Sequence, residues 1–274
     1  MKRSSSIKGP ATLLFFLLLS GFSRAEQGNW TFLPAHLLFQ PLIGDPREPN
    51  TSIIAYLNQS RYEGSVGTAF DLLRYDAPDQ SHWGWGVQGT GYILLDEQGA
   101  TFPMQVNDWH AAMFLCESSG AFSHRFEFEH QSSHLGDALE GSQEPIIYNG
   151  ENFNWTTSFK PAEDLRFYSG VGVWDNLFPP DNAFFASLGT EAYSAPLDLI
   201  GTQLRGYLTF HLKYKAQAGG VLNKTLQLGF QWKFKKEESR AIRLALVYYN
   251  GNSEYGQFYL QKDEHLGIGV YFDP

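Results

Sequence analysis

The sequence has very little that could cross-link it or bind a polyanion. Of its 274 residues only one is a cysteine, Cys116, and a single thiol cannot form an internal disulfide. Charged residues make up 18% of the chain, and the net charge is −9. Nucleic-acid binding needs clustered Lys and Arg that displace counterions from phosphates, so this balance argues against nucleic acid as a partner. Because the chain has only one thiol, its fold must hold without internal disulfides.

The chain also lacks an apolar run near the roughly 20 residues that a membrane helix requires. The apolar stretch from Ala11 to Leu19 is too short to span a bilayer, and it follows a positively charged leader. Small residues suited to cleavage stand at Ser23 and Ala25, so residues 1–25 are predicted to be a signal peptide for export. A membrane-embedded interpretation must then rest on β-strands.

Alternation of apolar and polar residues is what the sequence has in abundance. The clearest examples run from Gln203 to Lys215 and from Leu222 to Lys235, and about twelve such segments can be drawn. Several reach the length of about ten residues that a tilted membrane crossing needs. The pattern predicts one all-β domain over residues 51–274, an antiparallel outer-membrane-type β-barrel of about 12 strands. A soluble periplasmic β-sandwich or lipocalin-like binder would show the same alternation.

The two ends of the mature chain carry further signals. Residues 26–50 are predicted to be an irregular arm, because four prolines in this region break any strand. The last segment alternates up to Phe272, which is similar to the C-terminal signature that barrel assembly machinery captures, although Asp273 and Pro274 follow the aromatic residue. The assembly machinery and outer-membrane lipids are therefore the expected partners. The oligomeric state is not indicated.

Two motifs carry a family resemblance. FLPAHLLFQPLIGDPREPN, ending at Asn50, and FEFEHQSSHLGD, from Phe126 to Asp137, resemble a bacterial family of exported proteins, domain-of-unknown-function family 1207. The resemblance covers most of the mature chain. It implies an outer-membrane-type β-barrel and carries no established activity.

The second motif also contains a candidate site. Strand parity puts His130 and Ser132 on the same face as the preceding phenylalanines, which a barrel turns toward lipid. The pair resembles the His-x-Ser element of outer-membrane phospholipase and lipid A deacylase, which implies Ser132 as nucleophile and His130 as base. A third group should orient the imidazole. Asn149 and Glu151 share the matching parity on the next segment, and the loop residue Asp137 is a weaker choice.

Other interpretations of these residues stay open. His130, Ser132 and His134 could form a polar rim that contacts lipid head groups, or His130, His134 and Asp137 could be weak zinc ligands. No cofactor is predicted, and calcium enters only through the phospholipase analogy. The functional alternatives are a structural or transport-like barrel of undefined ligand, a lipid esterase or deacylase, and a soluble binding protein.

Overall fold

The computed structural model of the protein describes residues 28–98, 100–139, 141–199, 201–234 and 240–273. The predicted signal peptide, residues 1–25, lies outside this part of the chain. The described residues form fourteen strands and three short 3-10 turns, the turns being Asp137–Leu139, Gln217–Gly219 and Gly256–Phe258. The strands are β1 (Asn29–Phe32), β2 (Thr51–Tyr56), β3 (Arg61–Asp76), β4 (His82–Asp96), β5 (Met104–Ser119), β6 (Phe122–Leu135), β7 (Tyr148–Ala162), β8 (Leu165–Phe178), β9 (Phe184–Tyr193), β10 (Leu197–Leu199), β11 (Thr202–Lys215), β12 (Val221–Lys233), β13 (Ala241–Asn252) and β14 (Lys262–Asp273).

Twelve of these strands close into an antiparallel barrel. Each barrel strand pairs with the next one along the chain, β9 pairs with β11, and β14 pairs with β2 to complete the ring. The short strands β1 and β10 add to β3 and β11 outside this ring. The predicted antiparallel barrel of about twelve strands is confirmed. One end of the barrel holds the start of β2 and the end of β14, and we call it the terminal end; the other is the loop end.

The two faces of the wall follow the alternation of the sequence. On β12, Leu226, Leu228 and Phe230 face outward, while Thr225 and Gln227 are each 2% exposed and face inward. The same parity leaves an apolar outer surface around the barrel. None of the helical turns in the described ranges is long and apolar enough to cross a membrane.

The predicted N-terminal arm lies inside the barrel rather than beside it. Its first residues form β1 against β3, and the chain then enters the lumen, where nearly all of residues 37–50 are buried or partly buried. Phe39 and Leu42 are each 3% exposed. Glu48 accepts two hydrogen bonds from Arg125 on β6, at 2.6 and 2.9 Å. Inward polar side chains such as Arg125 therefore bind the arm, which fills part of the lumen.

A second segment, residues 253–261 between β13 and β14, folds back into the lumen at the loop end. Residues 253–258 are all buried. The hydroxyl of Tyr255 donates to Glu63 at 3.0 Å, and the backbone N–H of Gly256 donates to Asp108 at 3.0 Å. The lumen is thus occupied from both ends.

Buried carboxylates hold both inserted segments. In the arm, Asp45 lies 3.6 Å from Nε2 of His211 and 3.9 Å from Nζ of Lys213. In the second segment, Glu254 accepts from Nζ of Lys215 at 2.5 Å. Burial alone would raise the pKa of Glu254, but Lys215 and Lys213 outweigh it and hold the pKa far below 4.5. The charged form of Glu254 therefore stabilises the folded state.

This arrangement predicts a pH-dependent effect of Glu254→Gln. A carboxyl whose folded pKa is depressed stabilises the fold above its unfolded pKa, and this stability is lost as the pH falls through the folded pKa. We expect Glu254→Gln to be less stable than the wild type at pH 7, and the difference to shrink as the pH falls below 4.5. Urea unfolding in detergent micelles, followed by tryptophan fluorescence at pH 7 and at acidic pH, measures this. A pH-independent difference would contradict it, and Glu144→Gln in an exposed loop is the control.

Candidate functional site

The outer face of β6 carries the residues that the sequence singles out. His130 and His134 are exposed and Ser132 is partly exposed, while the intervening Gln131 and Ser133 are buried in the lumen. All three outward residues lie in the half of β6 that is nearer the loop end. Strand β6 thus carries the polar cluster on its outer face and residues of the packed interior on its inner face.

His130 has a carboxylate partner on the neighbouring strand. The register of β6 and β7 places it opposite Glu151, and Nδ1 of His130 lies 3.0 Å from Oε1 of Glu151. A carboxylate can only accept, so in the neutral imidazole this contact places the proton on Nδ1 and the lone pair on Nε2. The side chains are 50% and 31% exposed, so the pair is accessible from outside the barrel.

Ser132 lies between two other outward residues. It is opposite Asn149 on β7 and opposite Trp109 on β5. No hydrogen bond joins His130 to Ser132 among the described residues, and two strand rises separate their Cα atoms by about 6.6 Å. Since catalytic hydrogen bonds are often formed only in the substrate complex, this unliganded spacing is compatible with a nucleophile and its base.

The structure does not bring the weak zinc candidates together. Four strand rises place His130 and His134 about 13 Å apart along β6, too far to share one ion. Asp137 begins the 3-10 turn beyond the strand. Across the described ranges no group of three metal-ligating side chains is found.

The β5 side of the site was missed by sequence reasoning. Ala111 lies directly opposite His130, and its small side chain leaves the imidazole open on that flank. Trp109 and Met113 on either side of Ala111 are 58% and 53% exposed and extend the apolar outer surface up to the polar residues. The period-two alternation over residues 109–117 could have identified this flank from the sequence, since it places Trp109, Ala111 and Met113 on one face.

Comparison with known proteins identifies the type of barrel. The family described as "Protein of unknown function (DUF1207)" matches residues 26–273. The Salmonella typhi outer membrane phospholipase, solved as a dimer with bound calcium, is 13% identical with a TM-score of 0.52, covering 88% of this chain and 94% of that one. The fold is thus of the outer-membrane β-barrel type.

Two other solved barrels are similar at lower scores. Outer membrane phospholipase A from Escherichia coli has 12% identity and a TM-score of 0.49, over 82% of this chain and 92% of that one. The beta domain of the Bordetella autotransporter BrkA has 11% identity and a TM-score of 0.46, over 81% and 96%. No curated protein matches the sequence.

Proposed function

The chain belongs to the DUF1207 family, and we propose that this member is an outer-membrane barrel whose outer wall hydrolyses acyl esters of membrane lipids. The observation that carries the proposal is the contact of 3.0 Å between Nδ1 of His130 and Glu151, on the same outer surface as Ser132. It supplies the orienting group that a serine–histidine pair needs. The fold likeness to an outer membrane phospholipase agrees with this proposal without carrying it.

The occupied lumen weighs against the alternative of a transport barrel. Solutes crossing the interior would have to displace the arm at Glu48, which is bound to Arg125 through both carboxylate oxygens. They would also have to displace the segment at Gly256, which is bound to Asp108. We therefore propose that the reaction takes place on the outer surface, where side chains can reach the lipid directly.

The proposed reaction uses each outward side chain in one role. Oγ of Ser132 forms a bond to the ester carbonyl carbon while its proton passes to Nε2 of His130. The carboxylate of Glu151 holds the imidazole in the required tautomer and stabilises the imidazolium. His130 then returns the proton to the departing alcohol. A water molecule, deprotonated by the same imidazole, hydrolyses the acyl-serine and releases a fatty acid.

Two neighbours fit the same scheme. Asn149, opposite Ser132 in the ladder, offers a side-chain N–H for the oxygen that becomes negatively charged. Trp109 and Met113 offer apolar surface along which an acyl chain can lie. The polar residues face the region where a lipid ester meets its acyl chains, since they adjoin the apolar surface at the loop end. The proposed substrate class is thus a membrane lipid with an acyl ester.

The proposal is tested by Ser132→Ala. The wild type in mixed micelles with phospholipid, and separately with lipid A, is expected to release fatty acid from at least one of them. Ser132→Ala should release it only at the rate of a protein-free blank, because the nucleophile is gone. Fluorophosphonate should label the wild type at Ser132.

A serine on the same outer wall serves as the control. Ser169 on β8 is exposed and lies opposite Thr157 and Leu188, with no imidazole beside it in the register. Ser169→Ala should retain full activity and full labelling. Absence of acyl release from both lipids by the wild type, or full activity of Ser132→Ala, would overturn the proposed function.

A further inference from the structure

The inserted segment 253–261 lies directly behind the proposed site, on the inner side of the same wall. Gly256 packs so closely there that a Cβ on it would lie 2.6 Å from Cβ of Ser133. Only glycine allows this approach, because real Cβ atoms do not come so near. Ser133 is the neighbour of Ser132 and faces the lumen. The segment therefore contacts the strand that carries the proposed nucleophile.

Gln257 makes the most specific of these contacts. Its backbone N–H donates to Oγ of Ser133 at 3.0 Å, and its side-chain Nε2 donates to the carbonyl of Ser133 at 2.9 Å. The same Nε2 donates to the carbonyl of Ile146 at 2.7 Å, and Oε1 accepts from the N–H of Ile146 at 3.0 Å. Gln257 is 5% exposed, so these bonds form away from bulk water.

These four bonds join the two strands of the site where their own pairing stops. The last register pair of β6 and β7 is Ser133 with Tyr148, and beyond it the chains separate into the loop 136–147. The amide of Gln257 binds Ile146 as a neighbouring strand would, and at the same time binds Ser133. It thereby extends the β6–β7 ladder from inside. The adjacent rungs carry Ser132 with Asn149 and His130 with Glu151.

We infer that Gln257 is a positioning residue for the proposed hydrolase, fixing the spacing of β6 and β7 so that Ser132, His130 and Glu151 act together. This inference rests on the proposed function. Gln257 faces the lumen and does not touch the lipid, so its effect passes through the wall. A displacement of about 1 Å at reacting groups costs on the order of 100-fold in rate, so a modest loosening of this rung is measurable.

The test compares two buried luminal glutamines. Gln257→Met keeps the side-chain volume and removes the side-chain bonds to Ser133 and Ile146. Gln227→Met is the matched control, since Gln227 is 2% exposed and donates to the carbonyl of Ile43 in the arm, away from β6 and β7. Both variants are assayed in micelles with the lipid that the wild type hydrolyses, and folding is checked by heat-modifiable migration on a gel.

We expect Gln257→Met to lower kcat by about 10- to 100-fold, with KM within about twofold of the wild type. The rate of fluorophosphonate labelling at Ser132 should fall in parallel. KM is spared because the apolar outer surface that receives the acyl chain is unchanged. Gln227→Met should keep kcat within about twofold.

The outcomes separate this inference from the proposed function. If the wild type is active and Gln257→Met keeps its kcat, or if both glutamine variants lose kcat equally, the positioning role is wrong while the hydrolase stands. If the wild type neither releases fatty acid nor is labelled, the hydrolase fails and the positioning role fails with it. If Gln257→Met does not fold, Gln257→Glu replaces it, because it keeps the shape of the side chain and removes the Nε2 donor to the carbonyls of Ser133 and Ile146; an unchanged kcat there would overturn the inference.

Discussion

Replacing His130 by alanine is expected to lower kcat for acyl-ester hydrolysis by about 10⁴-fold, because removal of the base from a serine–histidine unit disables the nucleophile. Glu151→Gln should lose roughly 100- to 1,000-fold, less than the loss for a fully buried orienting carboxylate, since Glu151 is 31% exposed and water screens its interaction. Fatty-acid release from the lipid that the wild type hydrolyses gives both values. KM should change little in either variant.

His134 provides the control for this series. It lies on the same outer face of β6 as His130 and is also exposed, but in the register it is opposite Asn107 rather than a carboxylate. His134→Ala should keep kcat within about twofold of the wild type. Equal losses in His130→Ala and His134→Ala would indicate a general polar rim at the membrane surface, and would contradict a catalytic role for His130.

Replacing Arg125 by methionine is expected to lower the free energy of unfolding by about 3–5 kcal/mol, the range for removing one partner of a buried ion pair. Arg125 binds Glu48 of the arm through two nitrogens, and its Nε lies 3.3 Å from Glu127 on its own strand. All three side chains are about 5–6% exposed. Methionine would leave the carboxylate of Glu48 buried without its cation.

Replacing the other partner of this ion pair, Glu48, should lower the free energy of unfolding by less. Glu48→Gln leaves Arg125 beside Glu127, which also accepts from Gln88 at 2.8 Å, so no charge is left unpaired. We expect a loss of about 1–3 kcal/mol there. Urea unfolding in micelles measures both variants. Arg205→Met is the control, since Arg205 donates to the carbonyl of Ser194 and lies over the ring of Tyr193 instead of contacting the arm, and it should stay within about 1 kcal/mol of the wild type. If Arg125→Met and Glu48→Gln lower the free energy of unfolding equally, Arg125 is not shared between Glu48 and Glu127.

The barrel and the outward site were predictable because both depend on a period of two. Parity alone places His130 and Ser132 outside, and the same rule on β7 selects Asn149 and Glu151 as outward residues. Which of these two meets the imidazole depends on the register between β6 and β7. A long loop, residues 136–147, connects these strands, and no short turn fixes the register in the sequence.

The contents of the lumen could not be predicted in this way. Residues 33–50 have no period, and their partners lie on strands spread around the barrel, from β3 to β12. Arg166 on β8, for example, donates to the carbonyls of Gln40 and Pro41 at 2.8 Å. Alternation in the sequence reports only that the inward faces are polar. Whether a polar face meets solvent or another part of the chain is decided by tertiary pairing.

The single cysteine of the chain has a consequence for experiments on the arm. Cys116 is fully buried and packs in one cluster with Phe39 and Leu42 of the arm and with Phe114 and Tyr168 of the wall. Its thiol is therefore shielded by the arm, and alkylating reagents reach it only where the arm is withdrawn. Alkylation of Cys116 therefore reports whether the arm occupies the lumen, and it needs no engineered residue.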